Sequence, residues 1–163
     1  MKSTSQALNL TRRGLLTRLA AAAVPALVWR ARVRAQAKVS IAVYKDPSCG
    51  CCEAWVTHMN ANGFAATVTN TTDTNSIKRK RGIAEALWSC HTAIVGAYIV
   101  EGHVPAADVK KLLAVKPKSV VGLTIPGMPA SAPGMDTKPF VPYKVLSFDA
   151  QGKTSVFANH PKA

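Results

Sequence analysis

Four cysteines occur in the 163-residue chain, and three of them fall within four positions, Cys49-Gly50-Cys51-Cys52. The fourth, Cys90, is followed directly by His91. Scattered cysteines behave as small buried hydrophobes, whereas clustered ones call for a metal, a redox reaction or a disulfide. Cys49 and Cys52 have the Cys-x-x-Cys spacing of dithiol exchange. At a helix N-terminus such thiols are biased toward thiolate, and a thiolate is both a nucleophile and a metal ligand. Cys51 shifts the balance, because a third thiolate complicates clean exchange. Neighbouring Cys51 and Cys52 do not readily share one tetrahedral ion, but they can hold adjacent ions bridged by sulfur. That pattern points to a multinuclear soft-metal site rather than a zinc knuckle built from two spaced cysteine pairs. A purely structural pairing of all four explains less, since bridges inside so tight a cluster close little chain.

Other soft or borderline ligands surround this pattern. Pro126-Gly127-Met128 recurs as Pro133-Gly134-Met135, presenting two methionines from constrained turns. Thiolate and thioether donors together select copper(I) over harder ions. His91 and His103, the latter in Glu101-Gly102-His103-Val104-Pro105, add imidazoles suited to copper. Side chains alternate along a strand, so only one of Cys90 and His91 reaches a common site unless the backbone there is irregular. His58 falls off the apolar stripe of its helix and reads as solvated. His160 reads as part of an unstructured tail, and Lys78-Arg79-Lys80-Arg81 as a solvated helix end, with a basic patch for an acidic partner as the alternative.

The positioning elements follow from local pattern. Val39–Tyr44 is β-branched and aromatic, a strand. Asp46-Pro47-Ser48 is turn and helix-start chemistry, and a helix then runs to about Asn62, with Cys52, Trp55, Val56 and Met59 on one face. Gly63 ends it, and Phe64–Val68 is a second strand. Thr69–Ser76 reads as loop, and a second helix covers part of Ile77–Trp88. Thr92–Val95 and Tyr98–Glu101 flank Gly96-Ala97 as a hairpin. A helix from about Ala106 to Val115 precedes a strand over Val120–Ile125. Pro126–Pro142 is the one long irregular loop, a length associated with function. Tyr143–Phe148 and Thr154–Phe157 form a last hairpin around Asp149–Gly152. This order predicts an α/β, thioredoxin-like three-layer sandwich with extra C-terminal strands. In that fold the first helix's cysteines face the loop before the third strand, here Ser89-Cys90-His91-Thr92.

The N-terminal region has a different character. A twin-arginine pair, Arg12-Arg13, precedes an apolar stretch from Leu19 to Trp29 and a small-x-small exit at Ala35-Gln36-Ala37. This is the pattern of a secretory leader of the twin-arginine type over residues 1–37, with a metal-binding domain over 38–163. The apolar stretch is shorter than the roughly 20 residues a membrane span needs. The leader holds Lys2, Arg12, Arg13, Arg18, Arg30, Arg32 and Arg34 and no acid, so its removal takes seven charges from the formal +13 and leaves +6. The basic balance therefore gives little support to nucleic-acid binding, and no membrane association is expected once the leader is removed.

Taken together, Cys49-Gly50-Cys51-Cys52, Ser89-Cys90-His91-Thr92-Ala93, Val100-Glu101-Gly102-His103-Val104-Pro105 and the two Pro-Gly-Met turns resemble the CopG-type copper-resistance proteins. That family was long catalogued as a domain of unknown function. The resemblance spans nearly the whole chain after the leader. It implies a thioredoxin-like domain exported to the periplasm, a cysteine-bridged copper cluster, and a role in copper resistance by interconverting copper(I) and copper(II). It further implies Cys49, Cys51, Cys52 and Cys90 as ligands, with Met135, Met128, His91 and His103 at matching motif positions. Copper ions, and periplasmic copper-handling or redox proteins, are the expected partners. Two rivals stand beside this reading: a thiol–disulfide oxidoreductase using Cys49 and Cys52, and a zinc-stabilised structural domain.

Overall fold

A computed structural model describes residues 37–162. The leader expected over residues 1–37 therefore lies outside the described residues, apart from its last position. Seven strands form one sheet in the order β2-β1-β3-β4-β5-β6-β7. The strands are β1 (Val39–Lys45), β2 (Phe64–Asn70), β3 (His91–Val95), β4 (Tyr98–Glu101), β5 (Gly122–Thr124), β6 (Tyr143–Phe148) and β7 (Thr154–His160). Among the described residues three α-helices join them, α1 (Gly50–Ala61), α2 (Thr74–Lys80) and α3 (Ala106–Val115), with a 3-10 turn over Glu85–Leu87.

Two pairings in the sheet are parallel, β1 with β2 and β4 with β5. Each is bridged by a helix, as a parallel connection requires. The remaining neighbours run antiparallel. Side-chain alternation divides the sheet between two apolar clusters. Ala93, Val95 and Val100 join Ile41, Val43, Trp55, Met59, Phe64 and Leu112 in the larger one. Ile99 and Ile94 face the smaller one, with Ile83, Leu87, Trp88 and Phe148. Helices α1 and α3 supply residues to the first cluster, and the segment after α2 supplies the second. Both faces of the sheet are thus covered.

The element order read from the sequence holds, with three local corrections. Helix α2 begins at Thr74, within the stretch expected to be loop, because Asp73 caps it by accepting from the Ser76 backbone N–H at 3.0 Å. It ends early, since Gly82 takes a positive φ of 67°. Lys78, expected on a solvated helix end, is only 1% exposed and is paired with Glu101 of β4. His160, expected in an unstructured tail, is the last residue of β7. It pairs with Tyr143, stacks on that ring at 4.7 Å, and meets the Asp108 carboxylate at 2.8 Å.

Candidate metal centre

The turn before α1 places the cysteines. Asp46 accepts from the backbone N–H and the hydroxyl of Ser48, and its carbonyl accepts from the Cys49 N–H at 3.1 Å. Cys49 is the N-cap of α1, with extended backbone and no side-chain cap bond of its own. Its sulfur takes no part in capping and lies at the positive end of the helix dipole. Cys51 and Cys52 occupy the first turn. The Sγ atoms of Cys49 and Cys51 lie 3.6 Å apart, and Cys49 is joined to Cys52 by a disulfide. Cys52 is fully buried, while Cys49 and Cys51 are partly exposed.

Cys90 sits in a bend immediately before β3. This irregularity answers the alternation problem, because Cys90 and His91 both face the cysteine cluster. The Cys90 Sγ lies 3.4 Å from His91 Nδ1 and 3.1 Å from His103 Nε2. Two sets of four potential ligands result, Cys49, Cys51, Cys52 and Cys90 in one, and Cys52, Cys90, His91 and His103 in the other. Within each set all ligand atoms lie within 4.8 Å of one another, and Cys52 and Cys90 belong to both.

The imidazoles are prepared for ligation. His103 Nδ1 lies 2.7 Å from the Pro133 carbonyl, to which it can only donate, so Nε2 keeps its lone pair toward Cys90. Burial holds the His103 pKa below the usual histidine range. His91 is fully buried, and its pKa is pushed well down, first by burial and then by the neighbouring His103 and Lys78. Among the described residues its Nε2 has no hydrogen-bond partner, an orphan of the kind that calls for a ligand or a function. Trp55 packs against this ring with centroids 4.4 Å apart and donates its indole N–H to the Val104 carbonyl at 2.9 Å. Burial, and secondly the charge of Cys51, push the Cys90 thiol up to about 11, so binding a cation there must release a proton.

The loop carrying Met135 closes over this end of α1. Gly134 has a φ of +86°, and a Cβ there would lie 2.7 Å from the Trp55 nitrogen and 2.9 Å from the Cys51 carbonyl oxygen. Only glycine permits that approach. Met135 itself is half-buried against the larger apolar cluster, while Met128 is 45% exposed on a turn at positive φ. The structure thus gathers the four cysteines, His91 and His103 at one place, and it sets Met128 out toward solvent.

Sequence reasoning missed several supporting residues. His58, expected to be solvated, is half-buried, and its Nε2 accepts from the Ala106 N–H at 3.1 Å, satisfying the first turn of α3. Glu101 is fully buried beneath the Cys90 segment. A lone acid in the apolar run Tyr98–Glu101 was the available clue.

The donor set fits a soft cation: cysteine sulfur, which becomes thiolate once reduced and deprotonated, and neutral imidazole. Fold and site together define a mixed α/β protein with a thiol-rich metal-binding centre. Residues 87–135 match the family described as "Protein of unknown function, DUF411". Two solved structures of a copper resistance protein, CopG, are similar over most of the chain. Its form 2 is 38% identical, covering 76% of this chain and 99% of that one with a TM-score of 0.71. Form 1 gives the same identity and TM-score and is covered to 98%. No curated protein sequence matches the chain. At that identity and coverage the chain belongs to the CopG family of copper resistance proteins.

Proposed function

We propose that this chain is a periplasmic copper-binding protein of thioredoxin-like fold that holds several copper ions at its cysteine cluster and interconverts copper(I) and copper(II). The observation that carries this reading is the pair of overlapping four-ligand sets sharing Cys52 and Cys90. A single ion uses one set; two sets joined through common sulfurs suit adjacent ions. Charge argues the same way. Four thiolates carry four negative charges, and one copper(I) would leave three uncompensated in a partly buried site, which is unfavourable. Soft thiolates favour copper(I), and the imidazoles of His91 and His103 suit both oxidation states. Met135, which follows the Gly134 that rests on α1, is the methionine better placed to complete the set, and the exposed Met128 the one able to meet incoming copper. Each interconversion passes one electron to or from a redox partner.

The thioredoxin-like assignment rests on the β1-α1-β2 unit followed by the β3-β4 hairpin and α3, with cysteines at the N-terminus of α1. Periplasmic location rests on the leader pattern of residues 1–37. Among the described residues no helix is long and apolar enough to cross a membrane.

Titrating the fully reduced, leaderless protein with copper(I) under anaerobic conditions, against a chromophoric chelator, tests the proposal. More than one tightly held copper per chain is expected; saturation at one equivalent would refute the multinuclear site. A second reading, thiol–disulfide exchange, is favoured by one specific feature, the Cys49–Cys52 disulfide with its partly exposed first and buried second sulfur. Peptide-disulfide reduction that persists in C51S and C90S variants would select it.

A further inference from the structure

The segment that presents Cys90 and His91 is held from the opposite face of the sheet. One carboxylate, that of Glu101, accepts from the Ser89 backbone N–H at 2.7 Å through Oε1 and from the Thr92 hydroxyl at 2.7 Å through Oε2. Ser89 and Thr92 are the residues on either side of Cys90-His91. Lys78 of α2 completes the arrangement, donating to Glu101 Oε1 and to the Thr92 hydroxyl at 2.9 Å. All three side chains are essentially inaccessible: Lys78 is 1% exposed, and Thr92 and Glu101 are fully buried. The next residue contributes as well. The Gly102 N–H donates to the His91 carbonyl at 3.0 Å, and a Cβ on Gly102 would lie 2.4 Å from the Ser89 hydroxyl.

This is an unusual use of buried charge. A buried ion pair contributes little net stability, and an apolar pair of similar volume is often as good. A carboxylate is, however, an acceptor with two oxygens, and here each oxygen takes one flank of a two-residue segment. A regular strand would send Cys90 and His91 to opposite faces. The bend that brings both to one face needs its backbone fixed on each side, and Glu101 does that from below.

We propose that Glu101, with Thr92 and Lys78, is a positioning group that staples Ser89 to Thr92 and thereby sets the placement of Cys90 and His91 for metal. The inference rests on the copper-binding reading above, and it adds residues that touch no metal themselves.

Two double variants separate the staple from mere filling of the core. Both lack the Lys78 charge. In K78M/E101Q the amide still offers one acceptor to the Ser89 N–H and one donor to the Thr92 hydroxyl. In K78M/E101L the volume is kept and the staple is gone. Folding is checked by far-UV circular dichroism and the unfolding midpoint. Copper(I) retention is then read against a chromophoric chelator, and alkylation of Cys90 in the reduced, metal-free protein by peptide mass spectrometry. The Gln double should match the native protein in both. The Leu double, folded, should hold copper about 10–100-fold more weakly, as expected for loss of an outer support. Its Cys90 should alkylate at least about fivefold faster, as for a segment freed to open locally.

A folded Leu double with native copper retention and native Cys90 alkylation would overturn the proposal. If the Leu double does not fold, T92V removes one arm alone and must shift the same two readouts; unchanged values in T92V would equally overturn it. Should the native protein itself bind no copper(I), the metal reading fails, and the alkylation readout still decides whether the staple exists.

Discussion

Because Cys52 and Cys90 belong to both ligand sets while Cys49 and Cys51 belong only to the all-thiolate one, the four cysteines should not be equivalent. Replacing Cys49 or Cys51 with serine leaves Cys52, Cys90, His91 and His103 complete. Replacing Cys52 or Cys90 leaves three donors in each set. Loss of a residue that only supports a ligand costs metal sites about 10–100-fold. Loss of a ligand itself should therefore cost at least about 100-fold, or about 2.8 kcal/mol. The C49S and C51S variants should bind fewer copper ions but keep one at close to native affinity. The C52S and C90S variants should lose that last ion's affinity as well.

The measurement is an anaerobic copper(I) titration of reduced protein against a chromophoric chelator, with unfolding midpoints confirming that each variant folds. The fully buried Cys52 is also replaced by alanine, so that a buried hydroxyl is not mistaken for a ligand effect. Dithiol exchange predicts a different ranking, in which C49S and C52S are inactive and C51S and C90S are spared. Equal losses at all four positions would refute the two-set reasoning, and so would a copper affinity that tracks Cys49 and Cys52 alone.

Two further outcomes follow from the same geometry. G134A should destabilise the domain by about 1–3 kcal/mol, since it combines positive φ with a Cβ pressed on α1 backbone; an unchanged urea midpoint would show that the loop does not pack there. In the metal-free protein His58, His91 and His103 all have pKa values lowered by burial. Below the ordinary histidine value of about 6.5 the unfolded chain takes up protons that these three folded-state imidazoles refuse; with three such groups against one buried carboxyl, Glu101, whose raised pKa acts the other way, stability should fall as pH drops through that value. Urea midpoints at pH 7.5 and 5.5 test the sign, and a midpoint that holds or rises on acidification would contradict it.

Much of the site was readable because its chemistry is local. Three cysteines in four residues announce soft-ligand chemistry without any fold, and the strand–helix–strand pattern around them places the cluster at a helix start. The approach of Cys90 was readable from element order, since the hairpin β3-β4 must lie beside β1 in that topology. What escaped was long-range. Lys78 lies in a basic run that looks solvated until its acceptor 23 residues away is known. His58 looks solvated on its own helix because its donor, Ala106, is 48 residues on. His160 looks like tail until β6 offers it a register. The start of α2 is a different case, for Asp73 three residues before Ser76 is a cap signature that the sequence did contain.

The same long-range bonds tie together the segments that carry the site. Trp55 and His58 of α1 reach Val104 and Ala106, fixing the helix that carries Cys51 and Cys52, with Cys49 at its cap, against the segment that carries His103. The Pro133 carbonyl holds His103, and Gly134 rests on α1, so the methionine loop is tied to both. Glu101 ties the Cys90 segment from the far face. Ordering side chains at the moment of binding costs roughly 0.5–1.5 kcal/mol for each rotamer-rich group. A site already latched from three segments avoids most of that cost, so affinity reflects the ligands themselves. Loosening any one latch should then weaken metal binding while every ligand remains in place.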